Sequence, residues 1–328
     1  MSRRASGKLW ILALLLLISG YLSLRFGSSH MRTADFWQGL LRAPGMETYS
    51  LILYTIRLPR LLAALLAGAG LSISGVLLQS VTGNELASPN IIGVNAGAGF
   101  CVILFLCFFP QAIYALPFAA FFGAFLTTLL IMSVANRIGS GKSTIILAGI
   151  AFTAVLNAGI SFVSLLDTDV LTSYNYFSIG GVAGVRKESL LIPGVIIAMA
   201  FAAAMAISRK IDLLCLGDSM AMSLGVPVKA VRMACLVCAS ASAAAAVSFA
   251  GLLGFVGLVV PHIARKLVGM ETKSLLAASV LTGGIVVVLA DLAGRVLFAP
   301  SELPVGIMMS VIGAPFFFAL LLRRKGGR

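Results

Sequence analysis

The sequence predicts an all-α integral membrane protein with about ten transmembrane helices, and three observations carry that prediction. Of the 328 residues, 60% are apolar and only 11% charged, at a mean hydropathy of +1.07; a soluble domain is roughly 45–50% apolar and about 25% charged. The apolar residues gather in runs near the ~20 residues needed to cross a bilayer. In lipid every backbone N–H and C=O must find a partner within its own segment, which runs of this length achieve only as helices. Finally, basic residues fall into five clusters, each separated from the next by an even number of runs.

Those clusters orient the chain. Arg3, Arg4 and Lys8 open it, and Arg137 with Lys142 sit near the middle. Arg209, Lys210, Lys229 and Arg232 follow, then Arg265, Lys266 and Lys273, and finally Arg323, Arg324, Lys325 and Arg328. Together they hold 16 of the 24 Lys and Arg. Cationic loops resist translocation, so their shared face is cytoplasmic and both termini lie on it. The net charge of +13 therefore reports topology and gives little reason to expect a nucleic-acid partner. No sizeable soluble domain fits between the runs, so residues 1–328 read as a single transmembrane domain.

Span 1 covers about 8–26. Its basic start and the apolar run Leu9–Ile18 look like a signal peptide. No small-x-small cleavage site follows, and Tyr21–Leu24 prolongs the run, so it reads as an uncleaved span. An outer segment comes next, with a surface helix around Asp35–Leu41. Span 2, about Leu61–Val81, is rich in Gly and Ala, which let helix backbones approach closely, and it stops in a turn at Gly83–Asn90. Spans 3, 4 and 5 cover about 91–109, 113–135 and 144–166, the last two joined by an inner loop at Arg137–Ser143. An outer segment, 167–189, leads to span 6 at about 190–207. An inner segment, 208–229, leads to span 7 at about 231–250. Span 8, about 252–268, is short and interrupted at Pro261; spans 9 and 10 cover about 275–297 and 304–322. The Gly/Pro breaks after spans 2 and 7 hint at a structural repeat, although membrane helices contain much Gly and Pro in any case.

Several motifs invite chemistry and do not sustain it. Gly139-Ser140-Gly141-Lys142-Ser143-Thr144 looks like a phosphate-binding loop, but Asn136 stands where that motif needs its first Gly, and membrane spans flank it on both sides. Cys235-Leu-Val-Cys238 has redox spacing, yet it lies within an apolar run, where a thiol acts as a small hydrophobe. No carboxylate–His cluster has metal-ligand spacing, and no nucleophile–base pair stands out. The expectation is therefore no metal site, no cofactor and no catalytic residue. In span 5, Gly149, Thr153, Asn157 and Ser161 recur every four residues along one face. Interhelical hydrogen bonding and the lining of a pathway both account for such a stripe. Asp291 and Arg295 are spaced i, i+4 on span 9, as in a local ion pair. Arg57 and Arg60 bracket Leu-Pro at the outer start of span 2, where interfacial snorkelling explains them. With Arg295 they could equally form a basic outer rim for an acidic partner.

Several blocks, in order, carry a resemblance. They are Arg57-Leu-Pro-Arg60-Leu-Leu-Ala-Ala, Gly75-Val-Leu-Leu-Gln79, Asn84-Glu-Leu-Ala-Ser-Pro89 and Leu216-Gly217 with Leu224-Gly225-Val226. Gly254-Phe-Val-Gly-Leu-Val-Val-Pro-His262-Ile-Ala-Arg265, Glu302-Leu-Pro-Val-Gly306 and Gly313-Ala-Pro315 complete the set. From about residue 50 to 322 the chain resembles the permease subunits of ABC importers for iron–siderophore complexes, haem and vitamin B12. The resemblance implies a type II ABC importer permease fold of ten spans in the bacterial cytoplasmic membrane. It implies a second permease subunit, identical or a sister chain, two cytoplasmic ABC ATPase subunits and an extracytoplasmic substrate-binding protein. It assigns ATPase coupling to Leu216, Gly217, Ser219, Ala221, Leu224 and Gly225. It assigns docking of the binding protein to Arg57, Arg60 and Arg295, and a cytoplasmic gate to Lys142, Ser143 and Thr144; a lysine at that mouth departs from the small hydroxyl residues the family leads one to expect.

The function implied is ATP-driven import by alternating access, with hydrolysis left to the partner subunit. An Fe(III)–siderophore is the expected cargo on family frequency, with cobalamin or haem as alternatives. The spans before span 9 lack the mid-membrane carboxylates that ion-coupled carriers usually need, which weighs against a secondary transporter working without an ATPase.

Overall fold

The computed structural model describes residues 3–28, 31–138 and 142–325. Among these residues there are fifteen α-helices and no strand. The ten expected spans correspond to α1 (Arg3–Arg25), α4 (Leu58–Thr82), α5 (Val94–Phe108), α6 (Leu116–Ile138), α7 (Lys142–Leu166), α9 (Leu191–Ala206), α12 (Val228–Ala250), α13 (Val256–Val268), α14 (Thr272–Val296) and α15 (Val305–Lys325). Seven helical stretches are long and apolar enough to cross a membrane by length and composition; Val94–Phe108 and Val305–Leu320 are shorter apolar helices. The surface helix expected near Asp35 is α2 (Thr33–Leu40), followed by α3 (Glu47–Leu51). A π-helical stretch, Ile52–Arg57, runs from α3 straight into α4. Arg57 and Arg60 thus lie within a continuous helical segment and not in a loop ahead of span 2.

Among the described residues, the helices enclose two large apolar cores and a small one at Met31, Phe36 and Leu53. One joins Leu61, Leu106, Ala120, Val163, Val170, Ala250 and Val305. The other joins Leu12, Val81, Ala135, Ile145, Leu214, Val228 and Leu275. Read along the helices, the second core marks the end of the bundle where the basic clusters fall, and the first marks the opposite end. Contacts on α1 and α14 show that these two helices run parallel: Leu16 lies against Gly284, and Arg295 reaches Ser23.

The centre is built from α4, α12 and α14, whose facing surfaces are Ala, Gly and Ser. A Cβ on Gly68 would collide with the backbone of Gly283, and one on Gly283 with the backbone of Gly68. Small residues here allow the close approach that lipid itself does not drive. Ser242 Oγ then donates to the Gly70 carbonyl across the gap at 2.9 Å.

The structure corrects the expected break in span 8. Pro261 lies inside an uninterrupted α13. Proline has no N–H to offer the carbonyl four residues back, that of Gly257. Gln79 Nε2 on α4 donates to that carbonyl at 3.3 Å, so a neighbouring helix satisfies what proline leaves open. The true interruption lies ahead of α13, at Gly251–Phe255, where Phe255 adopts φ 63°. Its backbone is satisfied against α8 (Thr168–Ile179), a helix within the outer segment that the sequence reading did not find. Leu252 N–H donates to the Phe177 carbonyl at 3.3 Å, and Gly181 N–H to that of Ala250 at 2.8 Å. Such irregular backbone is tolerated at membrane depth only when protein covers it.

Candidate functional site

Two places gather the residues singled out above. At the end of the bundle away from the basic clusters, the three arginines converge. Arg60 Nε lies 3.0 and 3.1 Å from the Asp291 carboxylate oxygens, Nη2 donates to Oδ1 at 2.9 Å, and Nη1 donates to Glu302 Oε2 at 2.6 Å. Arg295 Nε pairs with Asp291 Oδ2 at 3.0 Å, and Arg295 Nη2 donates to Ser23 Oγ at 2.7 Å. Arg57 Nη1 donates to the carbonyls of Leu24 and Arg25 at 2.7 and 2.9 Å. The i, i+4 pair read from the sequence is therefore one edge of a larger network tying α4, α14, the end of α1 and the loop before α15.

The network is buried. Arg57, Arg60 and Arg295 are 4%, 7% and 3% exposed, and Asp291 is 1% exposed. This corrects the expectation of an open basic rim: the guanidiniums are turned inward and engaged with protein acceptors. Glu302 is the more accessible member. Burial alone would raise its carboxyl, but hydrogen bonds from Arg60 and Ser28 and the charges of Arg60 and Arg295 more than offset this and hold it below the usual carboxylate range. Beside it, Arg60, Tyr176, Glu302 and Pro304 share a cavity of about 280 Å³ between the end of α8 and the start of α15.

At the opposite end, α10 (Ser208–Cys215) and α11 (Asp218–Ser223) form a tight turn. Gly217 takes φ 107°, ψ 153°, a region open in practice only to glycine. Gly225 closes α11 at φ 77°. The Val226 N–H donates to the Ala221 carbonyl and the Gly225 N–H to that of Met222, both at 3.0 Å, which is the Schellman termination. Asp218 is fixed from α12 by Arg232 Nη2, 2.8 Å from both carboxylate oxygens. Ala221 is wholly buried, while Leu216, Met220, Met222 and Leu224 are 54–65% exposed. A shallow hollow of about 470 Å³ runs past Leu216, Gly217, Ser219, Met220 and Ser223. A rigid turn thus presents a patch of leucine and pliable methionine of the kind suited to a protein groove. The sequence named Leu216 and Leu224 but missed the two methionines and the Arg232 anchor.

The other expected residues are not brought together. Lys142 and Ser143 are the first residues of α7, but their side chains and residues 139–141 lie outside the described part of the structure; Thr144 is half-buried. The α7 stripe divides. Gly149 packs against the Ile91 carbonyl and Thr153 lies beside Gly93, whereas Asn157 and Ser161 are exposed.

Comparison with known proteins identifies the family. The model of the FecCD transport family matches residues 15–323. The Fe(3+)-citrate import system permease protein YfmE of Bacillus subtilis is 35% identical over 313 residues, covering 95% of this chain and 93% of that one. The iron(3+)-hydroxamate import system permease protein FhuB of the same species is 36% identical over 319 residues, covering 95% and 82%. A probable iron chelatin transport system permease protein of Helicobacter pylori is 33% identical over 328 residues, covering 97% and 99%. Among solved structures, an inward-facing metal-chelate type ABC transporter superposes with a TM-score of 0.86 at 30% identity, covering 96% of this chain and 98% of that one. With its long apolar helices, the chain is a multi-pass protein of the bacterial cytoplasmic membrane. It belongs to the FecCD transport family.

Proposed function

We propose that this chain is the membrane-spanning subunit of an ATP-driven importer that moves an Fe(III)–siderophore or a related ferric chelate into the cell. Ten helices cross the bilayer with both termini in the cytoplasm. A second permease subunit completes the pathway, two ABC ATPase subunits bind the cytoplasmic face, and an extracytoplasmic binding protein delivers the chelate. Its relatives, permeases for Fe(3+)-citrate, iron(3+)-hydroxamate and iron chelatin, support the cargo class.

The observation that carries this reading is the α10–α11 turn. Its exposed Leu216, Met220, Met222 and Leu224 need a partner surface, and its glycines and the Asp218–Arg232 pair make it stiff enough to transmit force. Movement of the ATPase subunits pulls on this turn, tilts α12 and its neighbours, and opens one mouth at a time. Lys142, Ser143 and Thr144 stand at the cytoplasmic mouth as the gate. Gly149 and Thr153 hold α7 to its neighbour, and Asn157 and Ser161 face the pathway between the two permease subunits. Arg57, Arg60 and Arg295 serve docking by fixing the shape of the outer surface, namely the Ser23–Ser28 turn and the Glu302 loop. The chain carries out no covalent step.

Uptake of ferric chelate into proteoliposomes tests this. Uptake is expected only when permease, ATPase subunits, binding protein and ATP are all present. Uptake by the permease alone, driven by an ion gradient, would replace the proposal with a secondary carrier.

A further inference from the structure

We infer that α2 is a membrane anchor: its Trp37–Leu41 face lies in the bilayer interface at the end of α1 away from the basic clusters, which in the proposed topology is the outer leaflet. The inference rests on α1 crossing the bilayer and not on the transport reading. α2 carries two apolar faces. Phe36, Gly39 and Leu40, at i, i+3 and i+4, turn toward protein, where Phe36 joins the small core of Met31 and Leu53 and Leu40 packs against it. On the opposite side, Ala34, Trp37 and Leu41, at i, i+3 and i+7, form a second face with Gln38 at its edge. Protein leaves this face open: Trp37 is 50% and Leu41 79% exposed.

Position decides what covers it. On α1, Trp10, Leu14, Leu17 and Tyr21, at i, i+4, i+7 and i+11, are all exposed along one stripe of a membrane span. Tyr21 meets Trp37 with ring centroids 6.4 Å apart, and both rings pack on Phe36, at 5.8 and 5.4 Å. The open face of α2 therefore continues the lipid-facing stripe of α1. α2 also folds back along the span. Arg25, the last residue of α1, donates from Nη1 to the Met31 carbonyl and from Nη2 to Thr33 Oγ1 at 3.0 Å. Trp37, one turn further along α2, lies against Tyr21, one turn before Arg25. A helical turn is about 5.4 Å, so the indole stands beside the span and not beyond its end. A soluble partner meets the end of the bundle, whereas the flank beside Tyr21 is bathed by lipid. Indole and phenol rings, apolar with one polar edge, favour that boundary, and a helix with one apolar face open lies in its plane.

The protein has two tryptophans, Trp10 and Trp37, and both stand on this surface. Trp10→Phe leaves Trp37 as the only indole in the full chain, and Trp37→Phe leaves Trp10. Each variant would be reconstituted in phosphatidylcholine vesicles carrying bromine either high on the acyl chain or near its methyl end, with iodide on both sides of the membrane as the aqueous quencher. Trp37 emission is expected to be blue-shifted from that of indole in water, to be quenched more by the high bromines than by the deep ones, and to change little with iodide. Iodide quenching without bromine quenching would put the face in water, free for a soluble partner. Quenching by neither would mean that protein, such as a second copy of the chain, covers it. Stronger quenching by the deep bromines would place it in the hydrocarbon centre. Each of these three results overturns the interfacial anchor. Trp10 separates the anchor from the span beneath it: bromine quenching of Trp10 with none of Trp37 refutes the anchor alone, whereas no bromine quenching of either indole refutes α1 as a span as well.

Discussion

The two ends of the bundle solve opposite problems. At the arginine end, four charged side chains, Arg57, Arg60, Asp291 and Arg295, are withdrawn from solvent, and the arginines are partnered by carboxylates and by carbonyls from separate segments. At the α10–α11 end, the backbone is fixed by capping and by one anchored aspartate, while large apolar side chains are left bare. The first end is internally paired and so fixes a shape. The second is internally stiff but externally unsatisfied and so calls for a partner. Stability and coupling should therefore be separable by mutation.

Asp291→Ala is expected to produce the largest loss of stability. It strands Arg60 and Arg295 in a buried site without their shared counter-ion, and removal of one partner from a buried pair costs about 3–5 kcal/mol. Thermal unfolding of the purified chain in detergent measures this. A near-wild-type midpoint would show that water or bilayer relaxation already screens the network.

Gly217→Ala should rank second. No neighbouring atom obstructs a Cβ there, so the cost is conformational, on the order of 1–3 kcal/mol for an L residue held in that region. It would re-aim α11, and ATPase-dependent uptake should fall further than the unfolding midpoint does. By contrast, Leu216→Ser with Met220→Ser should leave the midpoint within about 0.5 kcal/mol of wild type, since both side chains are solvent-facing, yet abolish co-purification of the ATPase subunits. Loss of stability in that double variant would break the distinction between the two ends.

Glu302→Gln gives the smallest effect, seen as a function of pH. The folded Glu302 carboxyl lies below its ordinary value of 4.5. Its contribution is therefore present above that value and lost as pH falls through the lower folded one. Wild type should lose its small advantage over the variant in that acid window and keep it at neutral pH. Solvent screening of this partly exposed group keeps the difference modest.

Much of this was legible in the sequence, because hydropathy and charge placement are local signals. Each expected span coincides with a helix, and the i, i+4 spacing of Asp291 and Arg295 announced their pairing. What escaped was non-local. Arg60 meets Asp291 across 231 positions, and nothing in its own neighbourhood distinguishes that from snorkelling. Pro261 looked like a break because its missing N–H is evident, while the Gln79 amide that compensates comes from another helix. α8 was hidden because its mixed polar composition carries no apolar periodicity; only the Asp167 cap, which accepts from the N–H groups of Asp169 and Val170, signalled a helix start. Met220 and Met222 stand out by their exposure, not their identity, and exposure is not a local signal.

The central claim is that the α10–α11 turn meets a motor on the cytoplasmic face. It is tested most directly with Ser219→Cys in a chain whose native cysteines are replaced by serine. A membrane-impermeant maleimide should fail to label this position in intact cells and label it in inverted vesicles, with protection when the ATPase subunits are bound. Labelling from outside intact cells would contradict the account.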